Sequence, residues 1–374
     1  MAERFSLKDH LFNAVTIGQL AQEYASADAG FDPKRFRNEV LAGFAERELL
    51  ARLDWIADCL ELQLSQDFNV MADQLEAAMP PILDPARTDD DFGHFIHAVP
   101  GILAVRHGLE HHRTRAMELL YNATQRFSME FYIRPFLNRW PDETLADLSG
   151  WAGDPNYHVR RLVSEGTRPK LPWAKAVSLT PEQTLPLLNA LHSDKTRYVT
   201  RSVANHLNDL SKTAPENVLA TFEQWEDARL QTAKELDWMK RHALRTLIKA
   251  GDSRAMTALG FRGDVPVEAE ITLANKEVRI GDALRFSCAI TSKTPLPVLL
   301  DYRIHFARPD GRAGSKVFKL KQGETTPEEP FTVTKAHKIK ADATTFTWYP
   351  GEHRLVLQVN GVDRDEVRFT VTAP

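Results

Sequence analysis

The octapeptide DPNYHVRR, residues 154–161, has a counterpart forty residues later in DKTRYVTR, residues 194–201. With one laid over the other, Asp154 meets Asp194, Val159 meets Val199 and Arg161 meets Arg201. A further forty residues bring WMKR, 238–241, into line. Arg161, Arg201 and Arg241 thus share one position, and Val163, Val203 and Ala243 share another. In the preceding helix, Leu148 and Trp151 match Leu188 and Leu191. A period near forty residues with two helices per unit is the signature of a HEAT-like α-solenoid. Stacked units project equivalent residues along one face, so the arginines form a column suited to a phosphate backbone. Arginines at such positions also cover repeat junctions with their aliphatic stems.

Outward from this repeat, residues 1 to about 260 read as helical. Apolar residues recur at spacings of three and four, as in EVLAGFAERELLARLDWIADCLELQL (39–64). Loops are short and carry helix-start residues, such as Pro141-Asp142 and Thr180-Pro181-Glu182. Residues 1–90 do not match the forty-residue unit and are expected to form N-terminal capping helices. The tail changes period. In LLDYRIHFA, Leu300, Tyr302, Ile304 and Phe306 alternate with Asp301, Arg303 and His305, the period-two pattern of a half-buried strand. The alternation returns in RLVLQVNG (354–361) and EVRFTV (366–371), and about seven such runs are punctuated by Gly and Pro. The expected fold is multidomain, α then β. A helical HEAT-like domain, 1–262, is followed by an immunoglobulin-like β-sandwich, 265–374, which has one cysteine and so lacks the inter-sheet disulfide of antibody domains.

Composition narrows the function classes. The 374 residues are 43% hydrophobic and 26% charged, a globular balance with ample material for a core. The net charge of −4 hides a split. Residues 1–150 hold 14 Lys+Arg against 24 Asp+Glu, 151–250 hold 15 against 11, and 251–374 hold 18 against 16. The repeat region is therefore basic within an acidic chain, which bears on nucleic-acid binding more than the total does. The two distant cysteines, Cys59 and Cys288, argue for a reducing compartment and against a CxxC zinc site. The N-terminus shows no secretion signal and no run of about 18 apolar residues occurs, so the expectation is a cytoplasmic protein. Five histidines fall in HFIHAVPGILAVRHGLEHHR (94–113), with His107 and His111 four apart. With no HExxH and no acidic ligand at fixed spacing, they read as polar helix-face residues. No phosphate-binding glycine loop and no GxSxG occurs.

Two carboxylates stand out. In HVRRLVSEGTRPKLPWA (158–174), Arg161 and Glu165 are four apart, on a face other than the apolar stripe of Val159, Leu162 and Val163. Arg before Glu is the weaker order for helix stability, and a carboxylate at a helix C-terminus opposes the dipole. A neighbouring arginine would keep Glu165 ionised, and the helix end would project it outward. The plainer reading is a surface ion pair, worth about 0.2–0.5 kcal/mol. In TQRFSMEFYIRPF (124–136), Glu130 lies among Phe127, Met129, Phe131 and Tyr132, with Arg126 and Arg134 each four away. It reads equally as a doubly paired surface glutamate and as a perturbed functional acid.

QRFSMEFYIRPFL (125–137), HVRRLVSEGTRPKLPWA (158–174) and RSVANHLNDLSK (201–212) together resemble the HEAT-like repeat DNA alkylation-repair glycosylases of the AlkC type. The resemblance covers nearly all of the helical part and is strongest over 100–260. One subgroup carries a C-terminal immunoglobulin-like domain, as this tail is expected to be. The resemblance implies excision of small cationic bases from double-stranded DNA, chiefly 3-methyladenine, by N-glycosidic cleavage, with neither metal nor organic cofactor. It implies catalytic roles for Glu165, Glu130 and Trp173. Arg161, Arg168 and Lys170 would contact DNA or fix the carboxylates, with Arg201, Lys240, Arg241 and Arg245 extending the phosphate contact. The protein is expected to act as a monomer without a membrane. In the tail, Lys319, Lys321, Lys338 and Lys340 suit either DNA contact or protection of sheet edges. Two rivals remain: a non-catalytic HEAT scaffold binding DNA or protein, and a sugar hydrolase using Glu130 and Glu165 as its acid pair.

Overall fold

The computed structural model describes residues 6–89, 91–308, 314–341, 343 and 346–373. The outermost residues of both expected domains, and Asp342 after the second lysine segment, lie outside the described residues. Contacts divide the chain into two compact units, Met1–Ala214 with Gln224–Met239, and Pro215–Glu223 with Lys240–Pro374.

The first unit opens with α1 (Leu7–Leu11), α2 (Ala14–Ala27), α3 (Pro33–Ala42), α4 (Leu49–Glu61) and α5 (Phe68–Ala77). Asn13, Asp32 and Asp67 cap α2, α3 and α5 by accepting from the free backbone N–H groups of the first turn. After a loop come a 3₁₀ turn (Phe95–Ala98), α6 (Val99–Leu103), a π turn (Ala104–Gly108), α7 (Arg113–Thr124) and α8 (Ile133–Arg139). The solenoid follows as pairs: α9 (Pro141–Trp151) with α10 (Tyr157–Gly166), α11 (Pro181–Leu191) with α12 (Arg197–Leu210), and α13 (Pro215–Ala228) with α14 (Ala233–Ala250). The first two pairs start forty residues apart, as the repeat predicts; α14 starts four residues early because α13 itself begins six residues early, after a short connection from α12. Proline sits at the first helical position of α9 and α11, and Thr180 forms a capping box with Gln183. Helix α10 packs against α12, and Val163, Val203, Leu148 and Leu188 are fully buried. Each such side chain contributes about 1.5–3 kcal/mol by leaving water.

Equivalent helices end differently. Helix α12 runs fourteen residues, whereas α10 stops after ten. Pro169 has no N–H to continue the ladder and pushes Arg168 away from helical angles. Gly166 is needed for a second reason: a Cβ there would lie 2.5 Å from Ile133 Cγ2, so α8 can approach α10 only over a bare backbone.

Among the described residues, the second unit contains the first part of α13, the last part of α14, a short helix α15 (Ser253–Ala258) and eight strands: β1 (Val267–Leu273), β2 (Glu277–Arg279), β3 (Ala283–Ser292), β4 (Leu296–His305), β5 (Ser315–Thr325), β6 (Phe331–Lys338), β7 (Gly351–Val359) and β8 (Val362–Thr372). One sheet has the order β1-β3-β6 and the other β2-β8-β7-β4-β5. Leu284, Phe286, Cys288 and Ile290 of β3 share one core with Leu300, Tyr302 and Ile304 of β4. Asn360-Gly361, both at positive φ, close the β7–β8 hairpin. One residue of the alternation departs from expectation. Asp301 is buried and shares the lining of a cavity on that face of β4 with helix residues Arg241, Arg245 and Lys249; burial pushes its carboxyl up to about 6. Lys319 and Lys321 lie on β5 and Lys338 on β6, both edge strands, where charge deters pairing with another chain. Cys59 and Cys288 are free and buried.

Candidate active site

Helix α10 places Arg161 and Glu165 one turn apart, and the turn before α8 brings Glu130 to them. Arg161 donates to Glu130 Oε2 and to Ser128 Oγ, the latter at 2.8 Å, and lies 3.6 Å from Glu165 Oε2. Arg168, just past the helix end, donates at 2.6 Å to Glu165 Oε1 and at 2.9 Å to Asp209 of α12. Ser202 of α12 donates to Glu165 Oε2 at 2.6 Å. The arginine pair and three carboxylates therefore form one continuous network spanning two repeats and the turn before α8.

This corrects the expectation that Glu165 projects outward. Glu165 is 5% exposed, because α12 packs over the end of α10 and supplies Ser202 and Asp209 to the network. The surface-pair reading fails for the same reason. Burial alone would raise its pKa, but the charges of Arg161 and Arg168, with the Ser202 hydrogen bond, outweigh burial and hold the carboxyl below its usual 4.5. The same carboxylates, opposing burial, drive the Arg161 guanidinium further towards the charged form. Both Glu165 oxygens are thus engaged and ionised. Glu130 is the more open acid, its side chain 17% exposed against 6% for Glu165.

Trp173 lies on the loop after α10 with φ +65 and 65% exposure. Such a conformation costs a non-glycine residue roughly 1–2 kcal/mol, and an exposed indole gains little burial in return. Lys170 is also exposed. Arg161 and Arg201 flank the Tyr198 ring, 4.8 and 5.8 Å from its centroid, so the repeat does set these two arginines side by side. Arg201 forms a two-pronged ion pair with Asp89. Arg241 and Arg245 belong to the second unit. There they line a cavity of about 160 Å³ with Lys249, Lys319 and Asp301, and Arg241 donates to Gln322 at 3.2 Å. Lys240 is buried, at only 7% exposure.

Sequence reasoning missed Ser202, Asp209 and Ser128, and took Arg134 for a partner of Glu130, whereas it donates to backbone carbonyls of 166–175. Ser202 carried a signal, since it interrupts an apolar stripe where the preceding repeat has Leu162. The histidine segment holds no cation cluster among the described residues; His107 pairs with Glu61 at 2.8 Å. Among the described residues, no helix is long and apolar enough to cross a membrane.

Fold and site together define a class: stacked helix pairs carrying an ionised carboxylate–arginine cluster, followed by an immunoglobulin-like sandwich. The family model described as "Uncharacterised protein YhaZ, C-terminal Ig-like domain" matches residues 267–373. "Uncharacterized protein YhaZ" of Bacillus subtilis (strain 168) is 33% identical over 371 residues, 96% of this chain and 98% of its own. The solved structure of Pseudomonas fluorescens alkylpurine DNA glycosylase AlkC, bound to DNA containing an abasic site analog, matches with a TM-score of 0.87. Its identity is 31%, over 99% of this chain and 100% of that one. The chain belongs to the AlkC-type family of HEAT-like repeat proteins, in the subgroup with a C-terminal immunoglobulin-like domain.

Proposed function

We propose that this protein is a monofunctional DNA glycosylase that excises small cationic N-alkylated bases from duplex DNA. The chief substrate is 3-methyladenine, with 3-methylcytosine and 1-methyladenine as further candidates. The observation that carries the reading is the full-length likeness to an alkylpurine DNA glycosylase solved on abasic-site DNA. The site chemistry agrees with it. An N3-alkylated adenine already bears positive charge and departs neutral, so no strong general acid is required. Positive charge develops on the deoxyribose instead, and a fixed anion lowers its energy. Glu165, held ionised by Arg161 and Arg168, supplies that field. Glu130, the more exposed acid, orients the water that adds to C1′. Trp173 offers an exposed indole face to the lesion or its sugar.

In this reading residues 1–262 bind and cleave, 265–374 form an appended sandwich, and a monomer acts on the duplex. Arg201, Arg241 and Arg245 meet phosphates, Lys170 adds charge at the loop, and Lys240, the buried member of the set, adds its charge to theirs. Chromatography of bases freed from methylated duplex tests the activity. Wild type releases 3-methyladenine; binding without release would instead identify a scaffold, and activity on oligosaccharides with little salt dependence would identify a sugar hydrolase.

A further inference from the structure

Arg134 has the largest fully buried side chain among the described residues, at 0% exposure. It stands on α8, one residue after Ile133, whose side chain packs against the bare backbone of Gly166. A buried guanidinium normally meets a carboxylate. This one has no ion pair among the described residues and donates instead to backbone carbonyls. Nη1 reaches Gly166 O at 2.9 Å and Arg168 O at 2.8 Å, Nη2 reaches Pro169 O at 3.4 Å, and Nε donates to Lys175 O.

The acceptors form a pattern. Gly166 O is among the carbonyls that α10 leaves without helical partners, where a cation is electrostatically welcome. The other three belong to the segment that follows, with Arg168 and Pro169 at its start and Lys175 past its far end. One planar group with its donors in a fixed fork therefore fixes where the segment leaves the helix and where it returns. Between those points lie Arg168, which holds Glu165 Oε1, and Trp173, at positive φ and exposed. Within the segment, buried Leu171 and the bond from Ala174 N–H to Leu171 O shape the middle, and Asn138 holds Ala176 O just beyond it, while Arg134 joins the two ends to one point. The burial that isolates the guanidinium lowers its pKa to about 10, so it remains charged at neutral pH and adds a cation beside Glu130, Glu165 and Asp209.

We propose that Arg134 is a positioning residue of the active site, whose buried guanidinium clamps the carbonyls of Gly166, Arg168, Pro169 and Lys175 and thereby sets Arg168 on Glu165 and presents Trp173. This rests on the glycosylase reading for its catalytic consequence and on geometry alone for the clamp.

The test uses the full chain labelled with 5-fluorotryptophan, the Trp173 ¹⁹F signal being assigned by its loss in Trp173→Phe. Arg134→Lys keeps the charge but loses the planar fork; Arg134→Gln is shorter and neutral. In Arg134→Lys the Trp173 signal shifts and broadens while those of the other six tryptophans stay in place. The single-turnover release rate at saturating enzyme falls about 100-fold, the scale of a small misplacement of reacting groups. The Kd for unmethylated duplex changes less than about 3-fold, because a buried group makes no phosphate contact. Unchanged Trp173 signal and rate would overturn the proposal, as would a shift of all seven signals together. Loss of the folded state in both variants would assign Arg134 to the core alone and also overturn it. If wild type releases no base, the glycosylase reading fails, while the Trp173 signal still decides the clamp.

Discussion

Helices α10 and α12 descend from one repeat position by position, yet only one carries the candidate acid. Val159 and Val199 are buried alike, as are Val163 and Val203, and Arg161 and Arg201 flank the same tyrosine. Each arginine also receives a carboxylate from a connecting segment, Glu130 for Arg161 and Asp89 for Arg201. The differences start one turn on. Where α10 has Glu165, α12 has Asn205; where α10 breaks at Pro169, α12 continues to Asp209 and on to Leu210. Leu162 corresponds to Ser202, which reaches back to Glu165. The repeat builds the scaffold, and the site consists of departures from the repeat.

Removing the central departure has the largest expected effect. Glu165→Gln keeps the shape, including an acceptor for Ser202, while Arg161 keeps Glu130 and Arg168 keeps Asp209. Stability should fall by about 1–3 kcal/mol, less than the 3–5 typical when a buried charge is left unpaired. Base release should fall on the order of 10³-fold, the scale of losing one preorganised electrostatic partner, with duplex binding near normal. Single-turnover kinetics and binding titrations check both halves. Turnover equal to wild type would refute the assignment and leave α10 no more special than α12.

Acid acts on both helices alike. His158 of α10 and His206 of α12 are buried, and burial lowers each pKa from 6.5 to about 4. His206 Nδ1 lies 3.1 Å from Ser164 O, and Nε2 has no hydrogen-bond partner among the described residues. The folded state therefore disfavours the imidazolium, and stability present above pH 6.5 is lost as pH falls towards 4. Each group contributes a slope on the order of 1.4 kcal/mol per pH unit inside that window. Glu165, with its pKa lowered below 4.5, adds its own loss only at more acid pH. Urea unfolding of His206→Gln at pH 7, 5.5 and 4.5 should show an acid slope shallower by up to about 1.4 kcal/mol per pH unit, the share of one such histidine. The other histidines whose pKa burial lowers, His158, His192, His305, His337 and His353, keep their shares. Identical slopes would exclude His206 as a contributor.

What could be read from the chain follows the same division. The forty-residue period, the buried valines and leucines, and the strand alternation were legible because each is a local pattern repeated several times. Arg161 beside Glu165 was legible from helical spacing alone. Their burial was not, since it depends on Ser202 and Asp209 of the next repeat, which no spacing within α10 encodes. Arg134 looked like a helix-face partner of Glu130 because carbonyl acceptors have no sequence signature. Asp301 obeyed strand alternation and still went inside, beside helix residues that lie about fifty to sixty positions earlier.

Trp173 sharpens the contrast between a segment shaped for folding and one shaped for contact. Its side chain is largely exposed, so Trp173→Ala should change stability within about 0.5 kcal/mol yet slow base release by about 10- to 100-fold if the indole meets the lesion. Glycine accepts the positive φ that alanine does not. Trp173→Gly should therefore be more stable than Trp173→Ala by about 1 kcal/mol, with equal loss of activity. Thermal melts and release rates of the two variants decide it; full activity in either would remove Trp173 from the site.

The smallest effect concerns Arg201, the counterpart of Arg161. Its guanidinium meets Asp89 in a two-pronged contact, 2.9 Å on one side, and both partners are partly exposed. A DNA phosphate reaching Arg201 must compete with that carboxylate. An exposed pair of this kind is worth about 0.2–1 kcal/mol after screening, so Asp89→Asn should strengthen duplex binding only about two- to fivefold, and chiefly at low salt. Arg201→Ala should weaken binding about equally for every sequence and reduce the salt slope by about one. The double variant should match Arg201→Ala, because Asp89 then has no arginine to withhold. Binding isotherms across a salt series separate these outcomes. A gain from Asp89→Asn that survives in the Arg201→Ala background would mean that Asp89 repels the duplex directly, and the symmetry between Glu130 and Asp89 as carboxylates guarding equivalent arginines would be broken.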